Sequence, residues 1–300
     1  MQALLCPNRW SLLWDRNCVP TPFFFKIVKF GGFIVSSFWY IASVLLIFDF
    51  VVIIIPYESL FRSFPEMIFL TLCSIWIQFV VHFHYHRTRY SCPLPPGDVT
   101  DRRCLKCQSF KGKRTSHCGV CNRCIVGLDH HCPWVNNCVG AHNHAHFFMF
   151  LVYLFIGMVF HLYFAFNTFT TQLWNTYGET YYCNTYLPHA WLKDWTCRNL
   201  NPTLLLMILC GLTCVTPVAM ITYISWNVFL ISRGHTLISW LKAFRDRAPP
   251  RPETITENWR EFFALSRCRP LYYVLLWPSS FPRKTFVGSL DSVASYKYSL

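Results

Sequence analysis

Cys104-Leu-Lys-Cys107, nine residues, His117-Cys118-Gly-Val-Cys121-Asn-Arg-Cys124, four residues, Asp129-His130-His131-Cys132, five residues, Cys138: this stretch decides how the chain is read. Seven cysteines and three histidines fall within 35 positions. Two CxxC pairs followed by further Cys and His at short intervals are a zinc signal, because each tight pair supplies two tetrahedral corners. Two structural zinc ions need eight ligands, and ten candidates are present. If Cys104, Cys107, Cys118, Cys121, Cys124, Cys138 and two histidines serve the metals, one cysteine and one histidine are left over. They fall in Asp129-His130-His131-Cys132. Neighbouring residues of an extended segment point to opposite sides. One histidine can therefore face a metal while the other faces the thiol. A free thiol beside a histidine that a carboxylate orients is the nucleophile, base and orienter set of acyl transfer.

The remaining sequence places that stretch at a membrane. Of the 300 residues, 53% are hydrophobic and 18% aromatic, while only 14% are charged against a usual quarter. The expected fold class is an α-helical polytopic membrane protein with four transmembrane helices and a cytosolic zinc-stabilised module between spans two and three. The spans are expected at about 30–55, 65–85, 147–173 and 203–231, each long enough to cross a bilayer. They divide the chain into a cytosolic arm (1–29), spans one and two (30–85), the cysteine-rich zinc domain (86–146), spans three and four with a luminal loop (147–231), and a cytosolic tail (232–300). Arg9, Arg16, Lys26 and Lys29 precede the first apolar run, which argues against a cleavable signal peptide and for insertion by that run. The arm carries four basic residues and one acidic, segment 86–146 nine and three, and the tail eleven and five; loop 174–202 is neutral. Alternation of this kind puts both termini and the zinc segment on the cytosolic side, where thiols stay reduced. The formal charge of +13 then follows from topology and gives no reason to invoke nucleic acid.

The pattern C-x2-C-x9-HC-x2-C-x2-C-x4-DHHC-x5-C-x4-N-x3-F, through Asn143 and Phe147, resembles the cysteine-rich domain of the DHHC protein S-acyltransferases, the palmitoyltransferases. The resemblance implies Cys132 as the acylated nucleophile, His130 as its base and Asp129 as the group polarising His130. It implies one zinc on Cys104, Cys107, His117 and Cys124, and a second on Cys118, Cys121, His131 and Cys138. The implied activity is transfer of a long-chain acyl group from palmitoyl-CoA, through a Cys132 acyl-enzyme, to cytosolic cysteines of membrane-associated proteins. An endoplasmic reticulum or Golgi membrane is the implied location. Pro95 stands where the family usually has Asp, and Leu237 and Ser239 stand in the family's Thr-Thr-x-Glu motif, of which Thr236 is kept. Asn258-Trp-Arg-Glu-Phe-Phe-Ala264 resembles the family's C-terminal Asn motif, with Ala264 where Gly is common. These departures motivate the rival reading, a catalytically silent zinc-scaffolded membrane adaptor.

Other signals carry blander readings. Arg102, Arg103, Lys106, Lys111, Lys113, Arg114 and Arg123 crowd the zinc module, as positive-inside bias or as a dock for coenzyme A phosphates. His82/His86 and His142/His146 have the i, i+4 spacing of a third metal clamp, though interfacial anchoring is commoner. Asp49 is the lone acid inside an expected span. An oxidising lumen would allow a Cys183–Cys197 disulfide, and cytosolic Cys6, Cys18, Cys92 and Cys268 are open to acylation. Gly157, about 15 Å into span three, either lets helices pack closely or leaves room for an acyl chain.

Overall fold

Each apolar run is helical in the computed structural model, which describes residues 23–93, 99–108, 110–112, 114–174, 194, 197–198, 202–247, 249, 252–266, 270–278 and 281. Helix α1 (Phe23–Asp49) passes through a π-helical segment (Phe50–Ile54) into α2 (Ile55–Glu58). Helix α3 covers Phe64–Tyr90, α4 His144–Phe164, α5 Phe166–Trp174 and α6 Pro202–Ser232. Among the described residues, four stretches are long and apolar enough to cross a membrane: Phe25–Glu58, Phe64–Tyr90, His144–Phe164 and Gly211–Ser232. Only 22–39% of their most apolar windows is buried. Phe30, Val44, Phe69 and Val218 are among the side chains left facing outward, as lipid-facing residues must be and a water-soluble core would not allow.

The helices outrun the apolar runs at several ends. Helix α1 includes Lys26 and Lys29, which are good helix formers. Helix α3 continues past Tyr85 to Tyr90, where Arg87 and Arg89 suit the negative end of the helix dipole. The third span is interrupted at Ala165, yet hydrogen bonds from Ala165 N to His161 O (2.8 Å) and from Phe169 N to Ala165 O (2.9 Å) carry the helix across.

Of the described residues, 23–36, 83–149 and those from 227 onward form one unit, and 37–82 with 150–226 form the other. In the second unit, Val52, Ile53 and Ile54 of the π segment pack with Ala165 and Phe169. Asp49 is fully buried there, and neither carboxylate oxygen has a hydrogen-bond partner among the described residues. A Cβ built on Gly157 would lie 3.1 Å from Ile77 Cγ2, so the glycine serves close approach of α4 to α3. Cys197 is disulfide-bonded. Cys183, like Cys6, Cys18, Cys268, Pro95 and the arm through residue 22, lies outside the described residues.

The first unit holds three two-stranded antiparallel hairpins: β1 (Val99–Arg103) with β2 (Phe110–Gly112), β3 (Thr115–Cys118) with β4 (Arg123–Val126), and β5 (His130–Cys132) with β6 (Asn137–Val139). The apolar core these short strands bury is small, built on Cys118, Ile125, Leu128 and Cys138. Three further helices follow: α7 (Leu237–Arg245), α8 (Ile255–Phe263) and α9 (Leu271–Leu276). Helix α8 ends on Ala264 in the left-handed region (φ 51°), which is why glycine suits that place. An L-residue there costs about 1–2 kcal/mol. Ala264→Gly is therefore expected to raise the melting temperature of the purified chain, with its metal content unchanged.

Candidate active site and metal centres

Register explains how the ligand candidates meet. Directly opposed residues of an antiparallel pair project from the same face. His117 lies opposite Cys124 in the β3–β4 hairpin, and His131 opposite Cys138 in the β5–β6 hairpin. Each hairpin thus contributes a His/Cys couple, and a CxxC turn contributes the other two donors. Around Cys104–Cys107 the turn is closed by Gln108 N donating to Cys104 O (2.8 Å). In the second turn, Cys121 N donates to Cys118 Sγ (3.4 Å).

The outcome is two groups, Cys104/Cys107/His117/Cys124 and Cys118/Cys121/His131/Cys138, each with its ligand atoms within 4.8 Å of one another. Zinc–sulfur and zinc–nitrogen bonds of about 2.3 and 2.0 Å put tetrahedral donors roughly 3.5–3.8 Å apart. The observed separations are 3.6 Å for Cys104 Sγ–His117 Nδ1 and for Cys107 Sγ–Cys124 Sγ. In the second group they are 3.4 Å for Cys121 Sγ–His131 Nδ1 and Cys121 Sγ–Cys138 Sγ, 3.7 Å for Cys138 Sγ–His131 Nδ1 and 3.9 Å for Cys118 Sγ–His131 Nδ1. These spacings are far beyond an S–S bond and fit four donors around one ion. The residues fit two zinc ions, which would cross-link hairpins whose own apolar core is small.

His130 and Cys132 alternate with His131 along β5, so they share the face that His131 does not use. Asp129 Oδ2 accepts from His130 Nδ1 at 2.8 Å. Its other oxygen, Oδ1, accepts from the backbone N–H of Leu237 at 2.5 Å, the first residue of α7. Thr236 Oγ1 donates to Leu128 O (3.1 Å), pinning the same junction. Burial disfavours a charged His130, but its hydrogen bond to Asp129 and then the Cys132 side chain outweigh it, and the imidazole is pushed up to about 9. Burial likewise opposes a charged Asp129, and the nearby charges of His144 and His130 with the His130 and Leu237 hydrogen bonds hold it below the usual carboxylate range. Cys132 is buried, with Phe147 edge-on to the His130 ring at 5.3 Å. This arrangement can hold a proton on His130 next to a sulfur nucleophile.

Two asparagines seat the hairpin. Asn143 Nδ2 donates to Thr88 O and Cys138 O, both at 3.0 Å, and its Oδ1 accepts from Gly140 N (2.9 Å). Asn137 Nδ2 donates to Thr88 O and Ser91 O, both at 3.0 Å. Both thus satisfy carbonyls that the end of α3 leaves open. Asn137 carried no signal in the sequence, because its partners are decided by docking. Tyr85 OH adds a bond to Trp134 O in the turn after Cys132 (3.1 Å).

The motif departures that fall among the described residues acquire definite roles. Ser239 completes a capping box at the start of α7: Thr236 Oγ1 accepts from Ser239 N (3.3 Å), and Ser239 Oγ accepts from Thr236 N (2.8 Å). A serine thus does the reciprocal capping for which glutamate is the usual residue. Asn258 Nδ2 donates to Ser232 O at the end of α6 (2.9 Å), and a Cβ on Gly234 (φ +65°) would sit 2.6 Å from Asn258 Oδ1. The alternating histidines form no third metal cluster among the described residues. They pair across helices instead, with His84 Nδ1 and His146 Nδ1 3.0 Å apart. Cys92 is disulfide-bonded.

Residues 98–243 match the family model described as DHHC palmitoyltransferase. The palmitoyltransferase ZDHHC16A of Danio rerio is 42% identical over 90 residues, 28% of this chain and 23% of that protein. The human palmitoyltransferase ZDHHC3 is 53% identical over 64 residues, 21% of each. The palmitoyltransferase pfa3 of Aspergillus fumigatus is 33% identical over 153 residues, 50% of this chain and 24% of that protein. The chain spans about a quarter or less of the length of these relatives.

Proposed function

We propose, from the premise that residues 98–243 belong to the DHHC palmitoyltransferase family, that this chain is a membrane protein S-acyltransferase using a long-chain acyl-CoA. One observation carries the proposal: Asp129, His130 and Cys132 form a connected set on the face of β5 opposite the His131 metal cluster. His130 takes the thiol proton, and the Cys132 thiolate attacks the thioester carbonyl of the acyl-CoA. The C–S bond to coenzyme A breaks, coenzyme A leaves with the proton from His130, and a Cys132 thioester remains. A cysteine thiol of a membrane-associated protein then gives its proton to His130 and attacks that thioester, and Cys132 is released. Asp129 orients His130 and stabilises its charged form, as a triad carboxylate does.

The eight cluster residues hold two structural zinc ions in this reading. Both termini and the zinc domain face the cytosol, as the positive segments favour, in an endoplasmic reticulum or Golgi membrane. The donor's soluble head and apolar tail suit a nucleophile carried by a domain inserted between spans. Labelled palmitoyl-CoA incubated with the zinc-loaded chain should leave label that hydroxylamine releases and that Cys132→Ser abolishes. Zinc-loaded protein that acquires no thioester label would leave the adaptor reading in its place.

A further inference from the structure

Beside the site described above, a cavity of about 90 Å3 opens within the first unit, lined in part by Arg114, His142, His144, His235, Asn258 and Glu261. One water needs roughly 10–15 Å3 by this measure, so the space admits several waters or one tetrahedral oxyanion. Its chemistry is one-sided. A guanidinium, two amides (Asn143 and Asn258) and four imidazoles are set against the single carboxylate of Glu261, and Ile231 and Phe262 supply apolar wall. A cation would meet Arg114 there. A metal is disfavoured because no three of these side chains bring ligand atoms within 4.8 Å of one another. An oxyanion suits this lining, since guanidinium and imidazole N–H groups donate to phosphate oxygens. The location narrows the source. His144 opens one candidate membrane span and Ile231 lies at the end of another, which is headgroup level.

We propose that this cavity binds a phosphate-bearing anion, through Arg114 and the histidines His142, His144 and His235. The phosphate belongs either to a lipid headgroup or to a soluble ion. Its occupant would abut Thr236, which also lines the cavity and whose neighbour Leu237 donates to Asp129. Binding itself is independent of acyl transfer, so it stands or falls apart from the activity proposed above.

The test uses the full, zinc-loaded chain in phosphatidylcholine nanodiscs, in phosphate-free buffer, titrated with radiolabelled inorganic phosphate. Saturable binding of one phosphate per chain is expected. Arg114→Gln should weaken it at least about tenfold, the scale of one charge-assisted contact. Glu261→Gln, which removes the opposing carboxylate, should tighten it several-fold. Arg245→Gln should leave it unchanged, since that guanidinium is engaged by Asp246 at 2.8 Å. Nanodiscs doped with phosphatidylinositol 4-phosphate identify the source: loss of phosphate binding assigns the site to the headgroup, and undiminished binding assigns it to the free ion. Absence of saturable binding together with no effect of the doped lipid on Arg114 accessibility to a guanidine-selective reagent overturns the proposal. So does equal weakening by Arg114→Gln and Arg245→Gln, which would mark diffuse charge, and so does a Glu261→Gln variant with unaltered affinity.

Discussion

His131→Ala will release one of two bound zinc ions, whereas His130→Ala will keep both and lose acylation. Along β5, His131 faces Cys138 across the hairpin and places its Nδ1 3.4–3.9 Å from three cysteine sulfurs. Removing it deletes a tetrahedral corner from a segment whose strands are three or four residues long around that cluster. With so little apolar core, metal affinity and folding free energy are nearly the same quantity, so the hairpins should become protease-sensitive as zinc leaves. His130 has no role among the eight donors. Its loss removes the group beside Cys132 and leaves Asp129 with its Leu237 bond, so the fold should hold while the acylation rate falls about 100-fold or more. Metal content by elemental analysis and thioester formation measured on the same preparations decide the matter. If His130→Ala sheds zinc and His131→Ala retains it, the two roles are exchanged.

That contrast was legible from spacing alone only as far as one histidine facing a metal and the other the thiol. The choice between them came from the family resemblance, and the hairpin register supplies a physical reason for it. The spans were legible because twenty apolar residues have few other destinies, but their ends were not. Lys26, Arg87 and Arg89 look like stops to hydropathy and act as good helix residues at the boundary. The second partner of Asp129 could not have been read, since Leu237 lies 108 residues away and offers a backbone N–H. Ser239 and Ala264 looked like defects against a motif. Their meaning is local: a capping box that serine can close, and a left-handed φ that alanine tolerates at a cost. The i, i+4 spacing of the histidines describes one helix, while His84 and His146 meet from two, a pairing that spacing cannot show.

Glu58→Ala will strongly destabilise the second unit. The sequence makes this residue one more charge in a short loop. In the structure its side chain is fully buried and takes four donors: Thr168 N (2.7 Å), Thr168 Oγ1 (2.9 Å), Asn167 Nδ2 (2.9 Å) and Arg62 Nε (3.2 Å). Arg62 in turn donates to Glu66 (2.6 Å) and to Tyr163 O (3.0 Å), so one carboxylate ties α2 to α5 and, through Arg62, to the end of α4. Alanine would strand a buried N–H, a hydroxyl, an amide and part of a guanidinium together. Breaking a buried pair by removing one partner costs about 3–5 kcal/mol, because the other charge stays behind. For a chain of this size that is a fall in melting temperature of roughly 6–20 °C. Glu58→Gln keeps an acceptor for Thr168 and loses only the charge opposite Arg62, so it should fall between the wild type and Glu58→Ala. Thermal unfolding in detergent gives the order directly. A Glu58→Ala protein that melts with the wild type would show that this network adds nothing to stability.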